Sequence, residues 1–172
     1  VWGPFSLVWG IGIAGATALL YKDRNKPDRH LFFAGTLLGG AFEYICSVFT
    51  ELVFGKVFWD YSKIPFNIAG RINLLYCFFW GIVAVVWIKL LYPRVSRLIE
   101  KIPVLAGYIL TWILVVFMVV DIGVSTLALL RYDSRANGAE AVYGWEQWVD
   151  NRFDDARMER IYPNAITRRS GE

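Results

Sequence analysis

Apolar positions run almost unbroken through four stretches, near residues 4–21, 31–55, 72–92 and 104–130, and polar residues collect between them and after Arg131. Each stretch supplies the roughly 20 residues an α-helix needs to cross a hydrocarbon core of about 30 Å. The pattern predicts an all-α fold: a polytopic membrane helical bundle of four spans over residues 1–130, then a polar C-terminal tail over 131–172.

Within the runs, small and acidic residues break the pattern. The first carries Gly10, Gly12, Ala14, Gly15, Ala16 and Ala18, a surface on which a neighbouring helix can approach closely. The second places Gly35 and Gly39 in a GxxxG spacing, followed by Glu43 and Glu51. Helical periodicity puts Glu43, Ser47, Thr50 and Glu51 on one face, with Glu43 deep in the run and Glu51 nearer an interface. Asp121 interrupts the fourth run. Three acids facing lipid would oppose insertion by roughly 7–10 kcal/mol, so they are expected to face the bundle interior, Arg71 or water.

The connection between the second and third runs is richer than a turn requires. Trp59-Asp60-Tyr61-Ser62 leads through Pro65-Phe66-Asn67 to Gly70-Arg71. Ser62 could cap a helix with Pro65 in its first turn, which would make the third helix start early and align Asn67 with Arg71. Its N-terminal amides could then attract an anionic group. Asp60 and Arg71 are expected to form an ion pair that pins the turn, and Trp59, Tyr61 and Phe66 to sit in an interfacial aromatic belt. The third helix is expected to stop at Tyr92-Pro93.

In the tail, Ala139 to Tyr162 contains no proline, and Val142, Trp145, Val149, Phe153 and Ala156 recur every three or four residues. One amphipathic helix over 139–162, ended by Pro163, is the expectation.

Composition excludes several function classes. Apolar residues make up 56% and charged residues 19% of the chain, and a net charge of +3 without a basic block argues against a nucleic-acid partner. Two cysteines, Cys46 and Cys77, lie inside apolar runs and are expected as free thiols. His30 is the single histidine, so no metal set and no cofactor are expected. No GxxxxGK[ST] loop is present, and the chain is not expected to be an enzyme on its own. Loops 22–30 and 93–103 hold seven Lys/Arg, which places them in the cytoplasm, with the Trp59–Arg71 stretch and the tail outside.

Taken together, Gly3-Pro4-Phe5, Trp9-Gly10, Glu43, the WDYSxxPFNxxGR string from Trp59 to Arg71, Trp80-Gly81, Asp121 and the tail from Asp154 to Asn164 resemble the bacterial membrane proteins catalogued as Putative ABC-transporter type IV. The resemblance implies a permease role in the bacterial cytoplasmic membrane, with ATP hydrolysis supplied by another subunit. It also implies one more hydrophobic helix, with its own glutamate, upstream of Val1-Trp2-Gly3-Pro4; the chain is expected to be a piece of a longer protein.

The functional expectation is a transport-type component that binds a small polar or charged solute, or relays protons, at Glu43, Glu51, Asp60, Asn67, Arg71 and Asp121, with Trp59, Tyr61, Ser62, Pro65, Phe66 and Gly70 shaping the motif. The alternatives are a membrane enzyme acting on a lipid-borne substrate, with Arg71 holding a phosphate, and a structural subunit of a larger complex. Expected partners are membrane lipids, a further membrane or ATPase subunit, and a second copy of the chain.

Overall fold

The computed structural model describes residues 6–163 and 166–167. Gly3-Pro4-Phe5 and Asn164 of the family-like motifs lie outside the described residues. The chain forms two compact units, one over Val8–Pro103 together with the C-terminal strand and one over Val104–Pro163.

In the first unit, α1 (Leu7–Leu20) is followed by a single 3-10 turn (Tyr21–Asp23), α2 (Asp28–Phe54) and the short strand β1 (Lys56–Val57). Strands β2 (Asn67–Ile68) and β3 (Ile72–Asn73) form a small antiparallel hairpin before α3 (Leu74–Val86). A π-helical turn (Trp87–Leu91) joins α3 to α4 (Tyr92–Ile99). The strand β4 (Ile166–Thr167) pairs antiparallel with β1.

Helices α2 and α3 cross closely because the residues at the crossing have almost no side chain. A Cβ at Gly35 would come within 2.3 Å of the Ala84 Cβ, and one at Gly81 within 2.6 Å of the Phe32 carbonyl oxygen. This is the packing that the GxxxG spacing predicts. The crossing continues into a core of Leu20, Leu31, Ala84 and Ile88, which brings in the end of α1. Trp87 Nε1 donates to Thr17 Oγ1 at 2.7 Å, fastening the π-helical turn to α1. Of the small residues on α1, Gly12 faces the Phe42 ring, while Gly10 and Gly15 meet open space.

Two boundaries differ from the sequence expectation. The third helix does not stop at Pro93 but runs on to Ile99. A proline removes its own amide donor and crowds the carbonyl four residues back, and the π turn absorbs this by letting the Tyr92 amide reach Trp87 O, five back. Nor does that helix begin near Ser62. It begins at Leu74, where Asn73 caps it by accepting from the Leu75 amide at 2.9 Å. Pro65 therefore lies in the preceding loop, and no helix N-terminus forms there.

The second unit consists of α5 (Val104–Ala136), α6 (Gly144–Arg152) and α7 (Asp155–Ile161). The change in composition at Arg131 falls inside a helix, because α5 runs one and a half turns past it. The single tail helix expected over 139–162 is two helices. Asp154 breaks it by accepting from the Arg157 amide at 2.8 Å, the geometry of a new N-cap. Val149, Phe153 and Met158 bury against Ala128, whereas Val142, at 76% exposure, takes no part. The charged side chains of the tail lock this core. Arg131, itself buried, holds Asp150 through two parallel bonds of 3.1 and 2.6 Å, and Arg135 reaches Asp155 at 2.8 Å and the Phe153 carbonyl at 2.9 Å.

Three helical stretches are long and apolar enough to cross a membrane: Asp28–Phe54, Leu74–Ile99 and Val104–Ala136. The 14 residues of α1 rise about 21 Å, short of a full crossing, so four spans are not reached among the described residues. Large apolar side chains such as Leu52 (80% exposed) and Leu105 point away from the protein, as expected of helix faces turned to lipid.

Candidate functional site

The loop from Phe58 to Asn73 owes its shape to its polar side chains. Asp60 accepts from both the amide and the hydroxyl of Ser62 at 2.9 Å, closing a turn. Asn67 donates to the Ile64 carbonyl at 2.7 Å and accepts from the Gly70 amide at 3.0 Å, and Asn73, fully buried, donates to the Pro65 carbonyl at 2.7 Å. Phe66 and Ala69 are held at positive φ, and Gly70 takes φ +66 with no room for a Cβ, which would lie 2.8 Å from Asp60 Oδ1. These bonds position Tyr61 and Arg71, whose side chains point back to α2.

Arg71 does not pair with Asp60, as the sequence suggests. Its guanidinium donates to Glu51 and, at 3.1 Å, to Ser47 Oγ, one turn apart on α2. Trp59 Nε1 secures the Arg71 backbone by donating to its carbonyl at 2.8 Å. Arg71 thus clamps the loop to α2. Trp59 and Tyr61 are half-buried and hydrogen-bonded within the site, whereas Phe66 is 79% exposed.

Glu43, two turns before Glu51 on the same helix face, has different company. Tyr61 Oη donates to its Oε1 at 2.7 Å, and Trp80 Nε1, from α3, donates to its Oε2 at 3.2 Å. Burial, and then the bond to Glu43, push the Tyr61 phenol above its ordinary pKa, so it remains a neutral donor at physiological pH. Around this carboxylate lies a cleft of about 240 Å³ lined by Trp9, Glu43, Tyr61, Tyr76, Phe79, Trp80 and Val83. Trp9 stacks obliquely on Trp80 at 5.2 Å and Tyr61 lies on Tyr76 at 5.1 Å. Among the described residues, no Lys, Arg or His pairs with Glu43.

The structure therefore divides the expected site residues. Glu43 and Tyr61 line the cleft; Glu51 and Arg71 form the clamp below it; Asp60, Ser62, Pro65, Asn67 and Gly70 shape the loop that carries Tyr61 and Arg71. Asp121 belongs to the second unit, where it is buried on α5 and raises the pKa of Tyr162, whose phenol is shifted first by burial. Sequence periodicity left out Trp80, Tyr76 and Phe79. A tryptophan in an apolar run is indistinguishable from packing until its indole N–H is seen to have a partner; the spacing 76, 79, 80, 83 is the helical stripe that could have found them.

No group of three or more metal-ligating side chains occurs among the described residues. No curated protein and no solved structure matches the chain. A family model described as Putative ABC-transporter type IV matches residues 1–126, a segment that includes the Glu43 cleft and the whole Trp59–Arg71 loop. With most of its length matched and three helices apolar enough to cross a bilayer, the chain is a membrane protein that belongs to the ABC-transporter type IV family so described.

Proposed function

We propose that the protein is a multi-pass component of the bacterial cytoplasmic membrane, of transport type, that takes a small polar or charged solute, or a proton, at Glu43. The observation that carries this reading is a carboxyl on an apolar helix whose hydrogen-bond donors among the described residues, Tyr61 and Trp80, are neutral and whose surroundings form a cleft. An acid in such a segment is costly and marks a functional site by default, and here it is held by two neutral donors with no cationic partner among the described residues. Glu51 and Arg71 neutralise each other and hold the loop in place. Energy from ATP would come from a separate subunit, since the chain has no phosphate-binding loop of its own.

The test uses the protein in liposomes loaded with a pH-sensitive dye, with a potassium gradient and valinomycin setting the potential. Proton flux above that of empty liposomes, reduced at least severalfold by Glu43→Gln, is the expected result. Equal flux in parent and variant would overturn the assignment of Glu43.

A further inference from the structure

The geometry points to a substituted ammonium cation as the ligand class of the Glu43 cleft, an inference that rests on reading this cleft as the solute site. Three observations converge on it. First, Glu43 is the one ionisable acid or base of the Asp, Glu, Lys, Arg and His type among the described residues of the lining, which favours a cation over an anion. Second, Tyr61 Oη and Trp80 Nε1 both donate to Glu43, which fixes the carboxyl in the lining and presents an incoming cation with a positioned acceptor. Third, the remaining walls are aromatic, from Trp9, Tyr76, Phe79 and Trp80, and ring faces attract cations while tolerating alkyl groups.

Hard metal cations fit poorly. They need six or more oxygen ligands, and the cleft supplies one carboxylate among rings. An ammonium carrying alkyl substituents suits both halves of the lining, its charge on Glu43 and its methyl or methylene groups on the aromatic walls. The same chemistry is present in a free organic cation and in the choline or ethanolamine headgroup of a lipid.

Isothermal titration of tetramethylammonium into the protein in phosphatidylglycerol nanodiscs tests the inference, with 3,3-dimethyl-1-butanol as the uncharged counterpart of similar shape. Saturable binding of the cation and none of the alcohol is expected. Glu43→Gln should weaken it at least about tenfold, and Phe79→Leu, which leaves the carboxylate in place at a half-exposed position, about two- to tenfold. Repeating the titration in phosphatidylcholine nanodiscs identifies the source: suppressed binding assigns the lipid headgroup, and unchanged binding assigns a free cation. Absence of binding in phosphatidylglycerol, equal binding of the alcohol, or undiminished binding by Glu43→Gln would overturn the inference. If proton flux still depends on Glu43 while tetramethylammonium does not bind, the broader solute-site reading stands and the cation assignment alone fails.

Discussion

Gly39 and Trp80 are in such close contact that a Cβ on the glycine would come within 2.3 Å of the tryptophan Cβ and 2.4 Å of its Cγ. Glu43 lies one helical turn after Gly39, so the absence of a side chain at 39 is what lets Trp80 approach α2 closely and its indole N–H reach the carboxyl. Gly39→Ala is therefore expected to displace Trp80 and to cost about 1–3 kcal/mol through overpacking. A lowered thermal midpoint accompanied by reduced Glu43-dependent flux is the expected outcome; full stability and flux would show that the crossing is looser than described.

Tyr61→Phe isolates one hydrogen bond. It keeps the ring that lies on Tyr76 and deletes the donor to Glu43 Oε1, leaving the carboxylate with Trp80 alone. The expected loss is about 1–3 kcal/mol, since a partly buried carboxyl oxygen loses its donor. Denaturation in detergent measures it, with Tyr76→Phe as the control that should move the midpoint less.

The partner of Arg71 yields to a double-mutant cycle. Arg71→Ala alone should destabilise by about 1–3 kcal/mol, because Glu51 and Ser47 both lose their donor. Combined with Glu51→Gln, the two effects should fall short of additivity by about 0.5–3 kcal/mol, whereas Arg71→Ala with Asp60→Asn should be close to additive. Additivity with Glu51 and coupling with Asp60 would restore the pairing expected from sequence and overturn the clamp.

What the sequence made legible divides along physical lines. Apolar run length located α2, α5 and the body of α3, because burial in lipid is a property of composition over about 20 residues. The shared face of Glu43, Ser47 and Glu51 followed from helical spacing alone, and the structure uses it twice, for the cleft and for the clamp. The loop was not legible. Ser62 and Pro65 are permissive for a helix start, and what decides against it is a set of longer bonds, Asn73 to Pro65 and Asn67 to Ile64, together with left-handed Phe66 and Ala69. Nothing in local propensity announces a phenylalanine at positive φ. Likewise, the choice of Glu51 over Asp60 by Arg71 depends on where the loop folds back, a relationship across twenty residues. In the tail, Val149 and Phe153 bury as their helical spacing suggests, but the break at Asp154 has no local signal because aspartate can cap a helix as well as continue one.

The second unit should be sensitive to acid. Asp150 is held below the ordinary carboxylate range first by its hydrogen bond from Arg131, and Glu146 first by the Tyr143 amide, with the Val142 amide and Arg131 adding to it. Because both values are depressed on folding, the folded carboxylates bind fewer protons than the unfolded ones. Their contribution is present above the ordinary values of 3.8 and 4.5 and is lost as pH falls through the lower, folded-state ones. Protection of the Phe153 amide, which donates to Val149 O at 2.8 Å, reports on this packing. Hydrogen exchange corrected for intrinsic rate should show it intact near neutrality and falling below about pH 4. Asp150→Asn should show weaker protection near neutrality and a flatter pH dependence, since the amide can neither accept two parallel bonds from Arg131 nor titrate. Unchanged protection in this variant would mean that the apolar contacts of Ala128, Val149, Phe153 and Met158 hold α6 on their own.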